Sequence, residues 1–173
     1  MKLKLFTGLL YSDINYRNNA VAQMVDIFGD IEHYSDTINF SAFSHYYDSE
    51  LGGEVTREWL LFKNPPDPEN FYEKKIMTNN LEDTFRRHSN RMVNIDPGIV
   101  TVSNVQLLTT KNYSHRIYMG EGIFAEVTFL FKKNGFDYLK WTYPDYKTNE
   151  AQSFFLSARK TILTGGTEVE DIK

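Results

Sequence analysis

Two turn signals in the C-terminal half constrain the fold more strongly than any other feature of the sequence. Asn134-Gly135 separates two runs rich in aromatic and β-branched residues, which is the strongest short-range signal for a tight β-hairpin. A second signal, Gly-Glu-Gly at residues 120–122, lies about one strand length earlier. Hairpins pair antiparallel strands. The two signals therefore predict a β-meander within an antiparallel sheet.

The residues before the meander predict alternating strands and helices. Asp13 and Gly29 are the cap and stop signals of one helix, and Asp67-Pro68 begins a second helix that we expect to run to about His88. Apolar and β-rich runs predict strands at residues 3–11, 31–43, 55–62 and 91–95. The resulting order, β-α-β-β-α-β, is that of the ferredoxin-like plan.

The predicted fold class is α+β: an antiparallel sheet with a ferredoxin-like start, extended by the C-terminal meander and a final helix. That helix should cover residues 149–163 and end before Gly165-Gly166. Its apolar side chains share one face, as a helix packed on a sheet requires. They are Ala151, Phe154, Phe155, Ala158 and Ile162.

Chain length indicates one domain. A chain of 173 residues lies within the size range of a single domain, and no repeat or linker-like segment divides it. We expect residues 1–166 to form one α+β domain and residues 167–173 to form an acidic disordered tail. Cysteine is absent, which excludes disulfides, a cysteine nucleophile and thiolate metal sites.

Charge and hydropathy argue against two kinds of partner. The net charge of -4 provides no basic field for a phosphate backbone, so we expect no nucleic-acid partner. The apolar stretch at residues 5–11 is too short for a signal peptide, and no window approaches the about 18 apolar residues of a membrane span. We therefore expect a cytoplasmic protein without a membrane partner.

Glu126 is the most informative polar residue of the meander. It lies among apolar strand residues, where a carboxylate is costly unless it is paired. A two-residue first turn would place Glu126 opposite His115, and a three-residue turn would place it opposite Arg116. A two-residue turn at residues 134–135 would place Tyr143 on its other side. Each register gives Glu126 a basic neighbour.

Two interpretations of Glu126 remain open. In the structural one, Glu126 only satisfies Arg116 or His115 inside a sheet covered on both faces. In the functional one, this face lines a cleft, where Glu126 with His115 would act as general base or acid. Alternatively, Arg116 and Lys111 would hold an anion in that cleft.

The functional hypothesis is a pocket on the meander for a small anionic or nucleotide-like ligand. The candidate catalytic residues are Glu126, His115 and Asp96. The candidate ligand-binding residues are Lys111, Arg116, Tyr118, Trp141 and Tyr143, and the three aromatic side chains would form its walls. The sequence identifies no cofactor, and the spacing of the four histidines predicts no metal site.

Two of the polar segments also have purely structural explanations. Asp-Pro-Gly at residues 96–98 is a turn signal that would end the preceding strand. Four polar residues share one face of the second helix, an arrangement typical of a solvated surface. They are Lys75, Asn79, Glu82 and Arg86.

Six segments resemble a known family. They are residues 4–10 (KLFTGLL), 75–82 (KIMTNNLE), 93–98 (VNIDPG), 109–118 (TTKNYSHRIY), 120–128 (GEGIFAEVT) and 141–146 (WTYPDY). Together they are similar to the prokaryotic DUF4416 family, a domain of unknown function, over nearly the whole chain. The resemblance implies no particular activity. Some members carry an automated GTP-binding label, but this chain has neither a G-x-x-x-x-G-K-[ST] phosphate loop nor any Gly-Lys pair.

The alternative hypothesis comes from a different functional class, a non-catalytic homodimeric interaction protein. Exposed aromatic side chains would supply its contact surface. They are Tyr46, Tyr47, Phe71 and Tyr72. A GTPase ranks third, because the phosphate loop is missing.

Overall fold

The computed structural model describes residues 2–133 and 135–165, which form a nine-stranded antiparallel sheet with helices on both faces. The strands are β1 (Lys4–Tyr11), β2 (Ile31–Tyr34), β3 (Ile38–Asn39), β4 (Thr56–Phe62), β5 (Val93–Val100), β6 (Asn104–Thr109), β7 (Ile117–Gly120), β8 (Ile123–Lys132) and β9 (Gly135–Tyr138). The helices are α1 (Ile14–Phe28), α2 (Asp48–Leu51), α3 (Glu73–Thr84) and α4 (Asn149–Thr164). Short 3-10 helices lie at Phe40–Ala42 and Pro144–Lys147. The predicted α+β class is confirmed.

The strand order confirms the ferredoxin-like start. Reading across the sheet, the neighbours are β2, β4, β1, β5, β6, β8 and β7. The first four are therefore the second, third, first and fourth strands of a split β-α-β unit, all antiparallel to their neighbours. The predicted meander adds β6, β8 and β7, while β3 pairs with β4 and β9 pairs with β8.

The central strands are buried on both faces, which explains their almost continuously apolar sequences. Helices α1 and α3 cover one face, where Leu9 and Leu60 belong to the core. Helix α4 covers the other, packing on Phe6 and Trp59 through the predicted apolar face. The candidate site lies beside β5, where side chains of the sheet and of α3 meet.

Helix boundaries follow the cap signals in two cases and depart from them in one. Asp13 caps α1 by accepting a hydrogen bond from Asn15 N, and Gly29 ends it, as predicted. The second helix begins at Glu73, so the start predicted at Asp67 is wrong. Asp67 instead accepts a hydrogen bond from Glu69 N and stabilises a local turn ahead of the helix.

The turn predicted at Asp96-Pro97-Gly98 is also wrong, because β5 continues through these residues to Val100. Pro97 is tolerated because of where its missing N–H would point. The N–H of Ile95 points to the edge of β5 that faces α3. Because N–H directions repeat every two residues along a strand, an N–H at position 97 would point to the same edge. β5 does not pair with β6 until Gly98, so no ladder bond is lost at Pro97.

The pairing of β8 with β7 and β9 shows which of the predicted residues lie opposite Glu126. Ile117 pairs with Ala125, so the ladder extended by one residue places Arg116 opposite Glu126, as in the three-residue alternative. β8 pairs with β9 through Lys132 and Gly135, two residues away from the predicted register. The pairing predicted between Glu126 and Tyr143 is therefore wrong, since β9 ends before that residue. Asn134 itself lies outside the described residues.

Two further expectations concern the chain as a whole. Within the described ranges, no helix has the length and apolar character needed to cross a membrane. The predicted tail at residues 167–173 lies outside the described residues.

Gly98 offers a test of the packing between β5 and its neighbours. A Cβ added there would overlap the backbone oxygen of Gln106 and lie 2.5 Å from the Phe6 ring. We predict that Gly98→Ala lowers the free energy of unfolding by about 3 kcal/mol through overpacking, as measured by urea denaturation. Gly53→Ala is the control, because its added Cβ would meet only Ser12 Cβ at 3.8 Å. Equal stability of the two variants would contradict this packing.

Candidate functional site

The candidate site lies where β5 and β6 separate. These strands pair only at residues 98–100 of β5, and the earlier part of β5 faces α3 instead. There Ile95 N donates to Glu82 Oε1 at 2.6 Å, and Lys75 Nζ donates to Ile95 O at 2.8 Å. Two side chains of α3 thus satisfy the backbone groups that a paired strand would otherwise satisfy. The separation leaves a cleft between the two strands.

A cavity of about 140 Å³ occupies this cleft. Its wall combines side chains from the sheet, from α3 and from the segments around α2 and residue 145. Its charged lining residues are Arg57, Lys75, Arg91, Lys111, Arg116, Asp96 and Glu126. Among the uncharged lining residues are Phe40, Tyr47, Asn79, Asn94, Tyr143 and Tyr146. Five cationic side chains thus face two carboxylates in the lining.

Arg91 fixes the geometry of one wall. Its Nε and Nη2 donate to the two oxygens of Glu50 at 2.6 and 2.9 Å. Its Nη1 donates to Glu82 Oε2 at 3.0 Å and to Asn94 Oδ1 at 2.7 Å. The bidentate pair with Glu50 and the two hydrogen bonds from Nη1 together join α2, α3 and β5 and engage all three nitrogens of the guanidinium.

Asp96 projects into the cleft from the middle of β5. Its oxygens accept from Lys75 Nζ at 3.3 Å and from Asn94 Nδ2 at 2.7 Å. Burial by itself would raise the pKa of Asp96, but Lys75 and Arg57 overcome that effect and hold the pKa below its usual value. Asp96 is therefore a fixed negative charge at neutral pH.

Arg57 lies at the bottom of the cleft, and its side chain is only 6% exposed. Its Nε donates to the buried Asp145 Oδ2 at 2.9 Å, and its Nη1 lies 3.9 Å from Asp96 Oδ2. Nη1 has no hydrogen-bond partner in the described part of the chain. Gly8 leaves room for this guanidinium, because a Cβ at Gly8 would lie 2.8 Å from Nη1.

Glu126 lies across the cleft and is held through one oxygen only. Its Oε2 accepts from Arg116 Nε at 2.7 Å and from His115 Nε2 at 3.1 Å. Its Oε1 is buried and has no partner among residues 2–133 and 135–165. His115 in turn stacks on Trp141, with ring centroids 4.4 Å apart, which orients the imidazole towards Glu126.

Lys111 is an exposed lining residue and marks the mouth of the cavity. Lys111 Nζ lies 5.2 Å from the centre of the Tyr46 ring, a cation–π contact between two exposed side chains. Tyr143 lines the same opening, and burial raises the pKa of its hydroxyl, which therefore stays protonated at neutral pH. The mouth thus offers one cation and one neutral hydroxyl to an entering molecule.

The structure brings most of the predicted site residues together. Asp96, Lys111, Arg116, Glu126 and Tyr143 line the cavity.

His115, Trp141 and Tyr118 are not among the lining residues. His115 and Trp141 lie behind Glu126, where Trp141 Nε1 donates to Val127 O and covers the edge of β8. The placement of Tyr118 in the wall is wrong: its side chain packs on Phe124 and is 62% exposed, because β7 is the last strand of the sheet.

The solvated surface predicted for the polar face of α3 is wrong for two of its residues. Lys75 and Glu82 are buried, and Asn79 lines the cavity. Helical spacing shows that these residues share a face, but it does not show what lies opposite. The gap beside β5 decides that this face points inward.

Arg57 is the residue that sequence reasoning missed altogether. A signal was present, because Arg57 and Glu58 are charged residues inside an otherwise apolar strand that ends at Phe62. Both are buried, and Glu58 accepts two hydrogen bonds from Arg17. Charges within a central strand are rare unless each has a specific partner.

Two remaining expectations bear on partners. Phe71 is 5% exposed and belongs to the core, and Tyr47 lines the cavity, so the aromatic surface expected for an interaction protein is wrong in part. The described residues contain no group of three or more histidine or acidic side chains that could hold a metal ion.

The pairing of Glu50 with Arg91 predicts a dependence on pH. The hydrogen bonds that Glu50 accepts from Arg91 lower the pKa of Glu50. The stabilisation that this pair gives the folded state is therefore complete above the ordinary pKa of about 4.3. It is lost as the pH falls through the lowered pKa. We predict that Glu50→Gln costs about 1–3 kcal/mol at pH 7. The difference in Tm from the wild type should shrink towards pH 3.

Glu69→Gln is the matched control, because Glu69 is exposed and distant in sequence from this network. It should match the wild type at every pH. A Glu50→Gln difference that stays constant from pH 7 to pH 3 would contradict the ionic nature of the pair.

The comparisons with known proteins identify a family without assigning an activity. No curated protein and no solved structure matches the chain significantly. Residues 1–161 match the family described as Domain of unknown function (DUF4416). The chain therefore belongs to the DUF4416 family.

Proposed function

We propose that this protein binds a small anionic metabolite in the cavity between β5 and β6. The observation that carries the proposal is Arg57, which lines the cavity and has a buried Nη1 without a partner in the described ranges. A buried donor left unsatisfied costs about 1–3 kcal/mol. A ligand oxygen bound at Nη1 would remove that cost and add a charge-assisted hydrogen bond.

The hydrogen bonds of the other cations support this choice of binding group. Arg91 and Lys75 donate hydrogen bonds to residues of α2, α3 and β5. Arg116 donates to Glu126 and to Lys111 O. These three side chains hold the walls in place. Among the lining cations, Arg57 keeps Nη1 without a partner in the described ranges, and Lys111 is exposed to solvent.

Cavity size argues for a small ligand. The volume of about 140 Å³ is close to that of the roughly 150 Å³ cavity that encloses benzene in an engineered protein. A compact anion of about six to ten non-hydrogen atoms suits that space. A nucleotide would place only its phosphate or part of its base inside.

The proposed acid–base roles fall unequally on the three candidate catalytic residues. Both oxygens of Asp96 accept hydrogen bonds and its pKa is lowered, so we assign it to charge balance beside Arg57. Glu126 keeps one oxygen without a partner in the described part of the chain, and His115 contacts its other oxygen. Proton transfer by Glu126 and His115 stays a prediction.

A thermal-shift screen tests the binding proposal. The probes are inorganic phosphate, glycerol 3-phosphate, citrate and AMP. A binding anion present at 100 times its Kd should raise the Tm by about 5–10 °C, because mass action stabilises the folded state. We expect Arg57→Gln to abolish that shift. Lys111→Met, at the exposed mouth, should weaken binding about threefold or more without affecting folding.

Lys160→Met is the control, since Lys160 lies on the exposed side of α4. It should bind like the wild type. The proposal is wrong if no anion shifts the wild-type Tm, or if both Arg57→Gln and Lys111→Met bind with unchanged affinity.

A further inference from the structure

Glu126 lines the cavity across from Arg57 and adds a ligand specificity to the proposed function, on which this inference rests. Glu126 is buried, lines the cavity and keeps Oε1 without a partner in the part of the chain that the structure describes. Its other oxygen is fully engaged by Arg116 and His115. A carboxylate oxygen can only accept a hydrogen bond. We therefore expect the ligand to present a hydrogen-bond donor to Glu126 Oε1.

Two kinds of donor could meet Glu126, a hydroxyl and an ammonium. The local charge favours the hydroxyl. Arg116 already neutralises Glu126 at 2.7 Å. An ammonium would lie beside that guanidinium and be repelled by it, whereas a hydroxyl donates to Glu126 without that repulsion.

Glu126 is also rigid enough to discriminate between ligands. Arg116 is anchored a second time through Nη1 to Lys111 O at 2.9 Å, and His115 is stacked on Trp141. The direction of Oε1 is therefore set by the protein before a ligand arrives. A preorganised acceptor rejects a ligand that lacks the matching donor, because the buried oxygen would then stay unsatisfied.

We infer that the ligand of this cavity is a hydroxylated anion, whose anionic group binds Arg57 and whose hydroxyl donates to Glu126 Oε1. Glu126 is thus the residue that determines specificity. The anionic group is either a phosphate ester or a carboxylate, and both would use the same two contacts.

Matched probe series test this inference by calorimetric titration. In the phosphate series, ethyl, 2-hydroxyethyl, 2-methoxyethyl and 2-aminoethyl phosphate differ at a single terminal group. In the carboxylate series, succinate, malate and aspartate differ in the same way. In at least one series we expect the wild type to bind the hydroxylated member about 10- to 100-fold more tightly than the unsubstituted one. The methoxy and ammonium members should gain no such preference.

Two variants separate specificity from anion binding. In Glu126→Gln the amide oxygen keeps the contacts with Arg116 and His115, and the amide nitrogen replaces the acceptor with a donor. This variant should bind the unsubstituted anion at least as tightly as the wild type, because a negative charge is removed from the wall, and it should lose the preference for hydroxy over methoxy. Glu121→Gln, in the exposed turn of the same hairpin, should keep that preference.

The outcomes distinguish the two proposals. Failure of every anion to bind would overturn the proposed function itself. Binding of all members with equal affinity would leave anion binding in place and overturn the role of Glu126. A dominant preference for aminoethyl phosphate or aspartate would overturn the assignment of a hydroxyl. A hydroxyl preference that survives in Glu126→Gln would also overturn it.

Discussion

The separation of β5 from β6 is the constraint on which the rest of the site depends. Antiparallel strands normally exchange all their backbone hydrogen bonds, yet the start of β5 is paired on one side only. Lys75 and Glu82 satisfy Ile95 from the opposite helix, and that exchange turns a polar helix face inward. Pro97 is compatible with this arrangement because it needs no partner for an N–H. The cleft is thus a consequence of how one segment of backbone is satisfied.

The charges of the cleft divide into two groups by what they contact. One group donates hydrogen bonds to other residues of the protein and so fixes the shape of the walls; it consists of Arg91, Lys75 and Arg116. Arg57 and Glu126 each keep one buried atom without a partner among the residues that the structure describes. Unpaired buried polar atoms are rare in folded proteins, and a bound ligand, ion or water is one way in which such an atom is satisfied. The proposed function follows from this division rather than from the number of charges.

Local signals were sufficient for much of the fold. The turn at residues 120–122 and the apolar face of α4 depend on short-range chemistry, and both elements are found where the sequence places them. The contact between Glu126 and Arg116 was one of two predicted registers. The inward position of Lys75 could not be predicted in this way, because periodicity shows that residues share a face but not what that face meets. The burial of Arg57 depends on Gly8, which leaves room for it, and on Asp145, which pairs with it. Both residues are distant from Arg57 in sequence, so local signals do not reveal its role.

Direct location of an anion tests the central claim, that Arg57 forms an anion site at the bottom of this cleft. Tungstate is a tetrahedral oxyanion whose anomalous X-ray scattering identifies its position without ambiguity. In crystals soaked with tungstate, we expect an anomalous peak in the cavity with an oxyanion oxygen about 3 Å from Arg57 Nη1. Peaks confined to the surface, with the cavity free of anion at saturating tungstate, would contradict the claim.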